Sequence, residues 1–364
     1  MIMTATQNLH FMAEANTAGG YKNRWESSLQ GIDRVFIIQS KLQQDVSLLL
    51  HQIALQAAPQ AAWYVHNPLQ SDLLSGIVIP ELKLAVIQEA AASQLSLPDK
   101  KIIKVNMESA IKPGLLAQQQ ARLDQLQEQI AAAKQAAYSG FADALLIHDD
   151  WERLYLPHID FDKTNKLTEQ YIQLLLGEQQ PSENQSRIDD RFLGTATAKG
   201  AVDYVSQLTD DLQRYHLKGR PGSGKSTILR KLAAAAIDRG YDIEVYHCGL
   251  DPKSIDMVII RELGFAIFDS TAPHEYKPLQ EEVIIDLYEL TISPNTDENI
   301  AEQAEPVSSR YAALMKTAIA QLTRASSLQD DFDAIYKQCC DYSTFNKVSL
   351  DLLQDIHQIK QASL

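Results

Sequence analysis

Short apolar runs alternate along the chain with amphipathic segments, and each half ends in a long stretch rich in alanine, glutamine and leucine. The runs "YDIEVYH" (241–247) and "GFAIFD" (264–269) have the length and composition of buried strands. The segment "SIDMVIIREL" (254–263) between them predicts a helix. Strands that alternate with helices indicate βαβ units. The pattern therefore predicts an α/β fold with parallel sheets.

The long stretch after the last strand of each half predicts a helical hairpin tail. Leu116, Leu123 and Ile130 recur every seven residues, which is typical of a helix with one apolar face. We expect this helix to fold back on a second helix that contains Trp151 and Tyr155. The stretch from Ser308 onward predicts the same arrangement in the second half.

The two halves of the sequence resemble each other at a constant distance along the chain. A shift of 181 positions takes His66 to His247 and also takes Asp150 to Asp331. Because separate stretches share one shift, the sequence predicts a tandem duplication. The polar stretch that begins at Gly177 contains the predicted join. The predicted units are a first domain at 1–180, a linker at 181–190 and a second domain at 191–364.

One motif in the second half indicates phosphate binding. Residues 219–226, "GRPGSGKS", fit the pattern G-x-x-x-x-G-K-[ST]. Glycines let backbone N–H groups approach phosphate oxygens, the lysine supplies a charge for the β- and γ-phosphates, and the serine hydroxyl ligates Mg²⁺. A short strand before the motif and an alanine-rich helix after it complete the expected context. The predicted nucleotide-binding residues are Gly219, Arg220, Pro221, Gly222, Ser223, Gly224, Lys225, Ser226 and Thr227.

The first half lacks this motif at the corresponding place. With a shift of 180 positions, Gln39 and Gln44 lie at glycine positions and Asp45 lies at the position of Lys225. A carboxylate there would repel phosphate. The sequence therefore predicts a degenerate P-loop-like first domain that keeps a strand, a loop and a helix but has no functional phosphate loop.

A magnesium site needs a second residue beside the serine of the motif. Asp269 ends a predicted strand, where P-loop proteins place a carboxylate on the Mg²⁺ side. The alternative is an ordinary turn or capping aspartate. We therefore predict Ser226 and Asp269 as metal ligands, with Lys225 and Asp269 as catalytic residues. Ser270 follows Asp269, so the water-activating glutamate of motor-type ATPases is absent at that position, which favours a kinase-like enzyme or a slow hydrolase.

Two loops next to the predicted site carry further candidates. Asp251 is a candidate catalytic base for a hydroxyl acceptor, and His247 is a candidate residue to orient that acceptor. The alternatives are a helix cap for Asp251 and, because the first half has a histidine at the matching position, a structural role for His247. His274, in the loop after Asp269, is a candidate contact for phosphate or substrate; a surface loop is the alternative.

Two weaker hypotheses concern the helical tails. The polar stretch 293–306 is a candidate mobile lid, with Arg310 as a charge-stabilising residue. His148, Glu152 and the nearby His158 suggest a metal site. The second half has no matching set of ligands, so a solvated acidic helix is the preferred interpretation.

Composition and charge limit the classes of function. The chain has 364 residues and a formal net charge of −14, which disfavours nucleic acid as a partner. The three cysteines form no disulfide pattern and favour a reducing, cytoplasmic compartment. The sequence has no apolar run long enough for a membrane span, and residues 1–20 lack the features of a signal peptide. We expect a cytoplasmic protein without a membrane partner.

The segments "HLKGRPGSGKST", "YHCGLDP" and "ELGFAIFDSTAPH", together with the duplicated layout, resemble a bacterial family of tandem P-loop ATPase or nucleotide-kinase-like proteins. The likeness covers most of the chain and implies ATP binding, but no particular substrate. In that family both halves can carry a glycine-rich loop, and the first half departs from this pattern here.

The sequence supports three hypotheses about function. The first is an ATPase that uses Mg²⁺ in its second half and the first half as a silent or regulatory copy. The second is a small-molecule or nucleotide kinase that transfers the γ-phosphate of ATP to an acceptor. The third is a scaffold that nucleotide binding stabilises without turnover.

Overall fold

The structure is a computed structural model that describes residues 7–93, 95–177 and 185–363. Among these residues, the first half contains eight strands and five α-helices. They are β1 (Leu9–Phe11), β2 (Glu14–Thr17), β3 (Gly20–Asn23), α1 (Trp25–Ser28), β4 (Arg34–Gln39), α2 (Gln43–Ala57), β5 (Trp63–His66), β6 (Leu74–Ile79), β7 (Leu84–Gln88), α3 (Glu89–Ala92), β8 (Lys101–Asn106), α4 (Pro113–Tyr155) and α5 (Phe161–Leu176).

The second half repeats this order of elements, apart from one short helix that lies at a different place. Its elements are β9 (Ile188–Phe192), β10 (Gly194–Thr197), β11 (Gly200–Asp203), α6 (Val205–Leu208), β12 (Gln213–Lys218), α7 (Lys225–Asp238), β13 (Ile243–His247), β14 (Ile255–Ile260), β15 (Phe265–Asp269), β16 (Val283–Asp286), α8 (Leu287–Thr291), α9 (Thr296–Cys339) and α10 (Tyr342–Ala362). Of the predicted linker at 181–190, residues 181–184 lie outside the described part of the chain and 188–190 belong to strand β9.

The fold is α/β, as predicted, but its sheets are mixed rather than parallel. Each half has a six-stranded sheet, with strand orders β1-β5-β6-β7-β4-β8 and β9-β13-β14-β15-β12-β16. Strands β6 and β14 run antiparallel to both of their neighbours, and the other neighbouring pairs are parallel. The two sheets thus have the same strand order and the same directions.

The antiparallel strand β14 corrects the prediction of a helix at residues 254–263. All six residues of β14 are buried. A fully buried strand shows a continuous apolar run instead of alternation, and a short apolar run by itself does not distinguish strand from helix. The six-residue length of the run fits a strand better than a helix.

The predicted helical hairpins are also wrong, because each tail begins with one continuous helix. Helix α4 has 43 residues and helix α9 has 44. They pack antiparallel through small side chains, and a Cβ added to Gly140 would lie 3.0 Å from the Cβ of Ala318. Gly140 therefore permits a close approach of the two helices.

The stretch proposed as a lid belongs to helix α9 from Thr296 onward, even though Pro306 lies inside the helix. Asp297 and Glu298 in its first turn favour this start, since negative charges stabilise a helix N-terminus. Ile300 packs in a cluster with Tyr155 at the end of α4, which fixes this part of the helix. The stretch from Thr296 is therefore a packed helix instead of a loop. Arg310 is exposed on the same helix.

The final helix of each half completes the apolar core of the other half. Helix α5 packs with α7 and the strands of the second sheet, and α10 packs with α2 and the first sheet. A further core cluster lies between the two sheets and includes Trp25 from the first half and Phe268 from the second. The halves are therefore joined by exchanged helices and by a common core.

A buried ionic network crosses the contact between the two sheets. Arg191 donates to Glu244 at 2.7 Å and to the Tyr246 hydroxyl at 2.9 Å. Its guanidinium lies 4.4 Å from the ring centre of Phe11 and 5.0 Å from that of Trp63, both in the first half. Arg191 thus connects polar groups of the second sheet with aromatic rings of the first.

Candidate functional site

The predicted phosphate loop lies between strand β12 and helix α7, at residues 219–224. Gly222 has φ of 76° and Gly224 has φ of 94°, so both adopt the left-handed conformation that favours glycine. A Cβ added to Gly219 would lie 2.6 Å from the Ser223 hydroxyl oxygen. Gly222 and Gly224 are therefore required by the backbone conformation, and Gly219 is required by its close approach to Ser223.

Lys225 is the first residue of α7, and its side chain turns back over the loop. Its Nζ donates to the carbonyl oxygens of Arg220 at 3.2 Å and Gly219 at 3.4 Å, and lies 3.6 Å from Oδ2 of Asp269. The buried Ser223 hydroxyl has no hydrogen-bond partner among the described residues. The structure thus brings a cation and an unpartnered hydroxyl together at a helix N-terminus, groups that suit phosphate, and Asp269 pairs with the cation.

Ser226 and Asp269 present oxygen atoms that suit Mg²⁺. The Ser226 hydroxyl accepts a bond from the N–H of Ile255 at 2.9 Å, which leaves it a second lone pair. Oδ1 of Asp269 accepts from the N–H and the hydroxyl of Thr271, at 3.0 and 2.6 Å. The donor set fits the cation that the motif implies. Of the other predicted loop residues, Pro221 is half-buried and Thr227 is exposed.

A second carboxylate that the sequence analysis missed lies beside Asp269. Asp256 precedes Met257, which pairs with Phe268, so Asp256 and Asp269 lie on neighbouring strands, with Asp256 at a register shift between β13 and β14. Burial and the charge of Asp269 raise the pKa of Asp256 to about 6, while His274 and Lys225 oppose that shift. The sequence did contain a signal for this residue, an acidic side chain inside the apolar run "IDMVII". The signal was missed because the run was interpreted as a helix.

His274 is held near these acids by hairpin β10–β11. Its Nδ1 lies 2.7 Å from Oδ2 of Asp203, and the hydroxyl of Tyr276 donates to the same carboxylate. Burial lowers the pKa of His274, but the bond to Asp203 and its charge outweigh burial and raise it. The imidazolium is therefore favoured close to Asp256 and Asp269.

Asp251 and His247 both have local hydrogen-bond partners. Oδ1 of Asp251 accepts from the N–H of Lys253 at 3.1 Å, so its carboxylate caps a turn that leads into β14 instead of a helix. His247 lies 2.7 Å from Asp190 through Nε2 and 3.1 Å from the carbonyl of Pro252 through Nδ1. These contacts orient the loop after β13.

Helices of both halves enclose the phosphate loop. Arg220 forms an ion pair with Asp297 of α9 at 2.5 Å, and its guanidinium lies 4.8 Å from the ring centre of Tyr288. A Cβ added to Gly222 would lie 3.3 Å from the Cβ of Glu152, on α4 of the first half. The end of α4 therefore contacts the loop directly.

We expect alanine at Gly222 to destabilise the fold more than alanine at Gly31. Both glycines have φ of 76°, so each substitution carries the same left-handed strain, about 1–2 kcal/mol. Nothing lies within 4 Å of the Cβ position at Gly31, whereas Glu152 must move at Gly222. Urea denaturation of the two variants should show roughly 1 kcal/mol more loss at Gly222. Equal losses would show that α4 does not press on the loop.

The structure corrects the register predicted for the loop of the first half. The Ser47 hydroxyl accepts from the N–H of Leu74 just as Ser226 accepts from Ile255. The matching shift is therefore 179 positions here, and the residue at the position of Lys225 is the buried Val46 instead of Asp45. Helix α2 begins at Gln43, so the first half has a helical turn where the second has the glycine loop.

A lysine of α9 approaches the remodelled loop of the first half. Nζ of Lys337 donates to Gln44 at 2.7 Å and lies 3.9 Å from Asp45. One turn earlier on α9, Oδ1 of Asp333 accepts from Gln329 at 2.8 Å, while Oδ2 is buried without a hydrogen-bond partner among the described residues. Burial raises the pKa of Asp333 to about 6.

Replacing Asp333 by asparagine should stabilise the protein at neutral pH. The folded-state pKa of about 6 exceeds the ordinary 3.8, so ionisation of Asp333 costs stability as pH rises from about 4 to 6. We expect a gain of about 1–3 kcal/mol at pH 7.5 and almost none at pH 4, by chemical denaturation. The exposed Asp331→Asn is the matched control. A loss of stability at pH 7.5 would contradict this account.

The suggested metal group on α4 contains His148 and Glu152 together with Asp149, but not His158. The candidate ligand atoms of these three residues lie within 4.8 Å of one another. His148 and Glu152 are 3.7 Å apart and form an ordinary i, i+4 pair on a partly exposed helical face.

No protein-family model, curated protein or solved structure gives a significant match to the chain. Among the described residues, no helix combines the length and apolar character needed to cross a membrane.

Proposed function

We propose that the second half binds ATP with Mg²⁺ at residues 219–227 and hydrolyses it. The observation that carries this proposal is the position of Lys225, whose amino group lies between the loop carbonyls and Asp269 at the start of α7. In this role Lys225 contacts the β- and γ-phosphates, and the loop N–H groups surround the phosphate oxygens. The resemblance to tandem P-loop ATPases and the composition support the same activity in the cytoplasm.

Ser226 and Asp269 would hold the magnesium ion, because they offer a hydroxyl and a carboxylate next to the loop. When bound, Mg²⁺ neutralises charge on the phosphates. Lys225 would contact the γ-phosphate. In the structure Lys225 is paired with Asp269, which keeps both charges satisfied in a half-buried site.

We further propose that the first half is a regulatory copy that binds no nucleotide. It has Val46 at the lysine position and a helical turn in place of the glycine loop. Its long helix α4 reaches the working loop at Gly222, and the following helix α5 reaches Gly224 through Thr164. A change of loop conformation on nucleotide binding would therefore alter contacts with helices α4 and α5 of the first half.

A kinase is the second candidate. The observation that favours it is Ser270, which occupies the place of a water-activating glutamate and is buried with its hydroxyl 3.0 Å from Nδ1 of His216. In that case the γ-phosphate is transferred to a small-molecule hydroxyl instead of water.

Release of ADP and phosphate from Mg-ATP distinguishes the two candidates. Steady phosphate release by the purified protein alone supports the ATPase and excludes a strict kinase. ADP release that requires an added pool of nucleosides, sugars and hydroxy acids, without free phosphate, supports the kinase. If ATP binds but neither product forms in either arm, the protein is a nucleotide-stabilised scaffold and the proposed hydrolysis is wrong.

A further inference from the structure

The backbone of Arg220 connects two parts of the phosphate loop. Its carbonyl oxygen accepts from the N–H of Ser223 at 3.2 Å and from Nζ of Lys225, also at 3.2 Å. A displacement of Arg220 would therefore alter both the turn at Ser223 and the position of the lysine. Whatever holds Arg220 in place acts on the conformation of the whole loop.

The side chain of Arg220 is bound by one carboxylate at the start of helix α9. Its Nε lies 3.1 Å from Oδ1 and 3.0 Å from Oδ2 of Asp297, and its Nη2 donates to Oδ2 at 2.5 Å. Contact at more than one atom fixes the direction of the guanidinium as well as its distance. The ring of Tyr288 on α8 also lies against the guanidinium, at 4.8 Å. The loop is thus attached to α8 and α9 through a single side chain.

Asp297 is itself held by two tyrosines. Its N–H donates to the hydroxyl of Tyr288 at 3.1 Å, and its Oδ1 accepts from the hydroxyl of Tyr155 at 2.9 Å. The hydrogen bonds from Arg220 and Tyr155 lower the pKa of Asp297 although burial opposes them, so the carboxylate is ionised. We call Arg220, Asp297 and Tyr155 the loop clamp.

One member of the loop clamp belongs to the first half. Tyr155 is the last residue of α4 and is buried. Its counterpart at a shift of 181 positions is Tyr336, near the end of α9, whose ring stacks on Phe332 with the ring centres 5.0 Å apart. The hydroxyl of Tyr155 therefore gives the first half a direct bond to the acid that holds the phosphate loop.

The first half has no equivalent of the Arg220–Asp297 pair. At the shift of 179 positions that relates the two loops, the exposed Lys41 takes the place of Arg220. At the shift of 181 positions that relates the long helices, Leu116 takes the place of Asp297 and packs against the first core. The pair therefore occurs beside the glycine loop and not beside its degenerate copy.

We propose that Asp297 is a positioning residue for ATP hydrolysis in the second half, which holds the phosphate loop through Arg220 in the conformation that accepts ATP. This inference rests on the proposed function. Asp297 contacts Arg220 and Tyr155 and no phosphate in this role. Without Asp297 the loop also adopts conformations that do not bind ATP, so the apparent affinity falls with the fraction of competent loops. Once ATP is bound, turnover proceeds at the normal rate.

Replacing Asp297 by alanine should therefore separate affinity from turnover. We expect the Kd for Mg-ATP, measured by calorimetry, and the KM for phosphate release to rise about 5- to 20-fold, with kcat within about twofold of the wild type. The side chains of Arg220 and Asp297 are 43% and 32% exposed, so solvent screening limits the loss. Melting temperatures of all variants are measured in parallel.

Matched variants control for the loss of a charge and of a hydroxyl. Glu298→Ala removes the exposed acid next to Asp297 in the first turn of α9 and should leave Kd, KM and kcat unchanged. Tyr155→Phe should raise Kd about two- to threefold, because it removes one hydrogen bond to Asp297. Tyr336→Phe, at the matching place of the repeat, should leave Kd unchanged.

A double variant tests whether Asp297 acts through Arg220. Arg220→Met alone should raise Kd about as much as Asp297→Ala. In the Arg220→Met background, Asp297→Ala should change Kd by less than about twofold, because the acid has lost the group on which it acts. Increases that multiply in the double variant would contradict the proposed role.

The other outcomes separate this inference from the proposed function. A wild-type protein that neither binds nor hydrolyses ATP overturns the proposed function, and this inference with it. A wild type that binds ATP, with the same Kd in Asp297→Ala, overturns only the role of Asp297. Losses of kcat and melting temperature in Asp297→Ala with unchanged Kd and KM also overturn that role, since they indicate a general effect on the fold.

Discussion

Replacing Lys225 by alanine is expected to weaken ATP binding about 10- to 100-fold and to reduce phosphate release to background. The side chain is mostly buried, with 12% of its area exposed, so its charge acts where solvent screens little. A hydrogen bond to a charged group contributes about 1.5–3 kcal/mol to binding. Loss of a cation that stabilises charge in the transition state costs a further factor of about 100–1000 in rate.

The matched control for this prediction is Lys231→Ala on the same helix. Lys231 is exposed, and its Nζ donates to Asn165 of α5 at 2.7 Å. Binding is measured by calorimetry and turnover by phosphate release. Full activity of Lys225→Ala would refute the assignment of the site, and equal losses in both lysine variants would show that helix α7 had been disturbed in general.

Replacing Arg191 by methionine should lower the free energy of unfolding by about 3–5 kcal/mol, the largest stability effect that we expect. The substitution leaves Glu244 without a cation that contacts it at 2.7 Å and removes the guanidinium that packs on Phe11 and Trp63. Arg261 remains bonded to Glu244, which limits the loss. Arg122→Met is the control, since Arg122 is exposed on α4 and contacts Gln125.

The pH dependence of this loss has a definite sign. Burial alone would raise the pKa of Glu244, but Arg191 and Arg261 outweigh burial and lower it to about 2. Since the folded-state pKa lies below the ordinary 4.5, the stabilisation is complete above about pH 4.5 and is lost as pH falls toward 2. Denaturation curves of wild type and Arg191→Met should therefore differ most at neutral pH and converge in acid. A constant difference between pH 7 and 3 would contradict this explanation.

The sequence was informative where backbone requirements dictate residue type. The strand, the glycine loop and the start of α7 at Lys225 agree with the motif, because left-handed positions and a helix N-terminus leave few alternatives at Gly222 and Gly224. The two sheets have the same strand order, which is compatible with the predicted repeat.

Other features required tertiary information. The run that forms β14 is buried on both faces, so it lacks the alternation that marks a strand, and Asp256 was overlooked with it. The continuity of α4 was also missed, and the close packing of Gly140 on Ala318, far away in sequence, is visible only in the structure. The exchange of α5 and α10 between the cores has the same basis, since an amphipathic helix indicates a buried face but not the partner that buries it.

The alignment predicted for the loop of the first half was wrong for a related reason. One constant shift of 181 positions describes most of the repeat, but β4 and the start of α2 match the second half at 179. Without glycines to mark the loop, nothing in the sequence located this difference. The hydrogen bond that each serine hydroxyl accepts from a backbone N–H of the neighbouring strand located it.

The stoichiometry of ATP binding to the intact chain tests the central claim most directly. We would titrate the protein with ATP and Mg²⁺ by isothermal titration calorimetry, in parallel with Lys225→Ala. One molecule of ATP per chain, with binding lost or strongly weakened in the variant, is the result that we predict. Two molecules per chain would contradict the silent first half, and the absence of binding, or full binding in Lys225→Ala, would contradict a nucleotide site at residues 219–227.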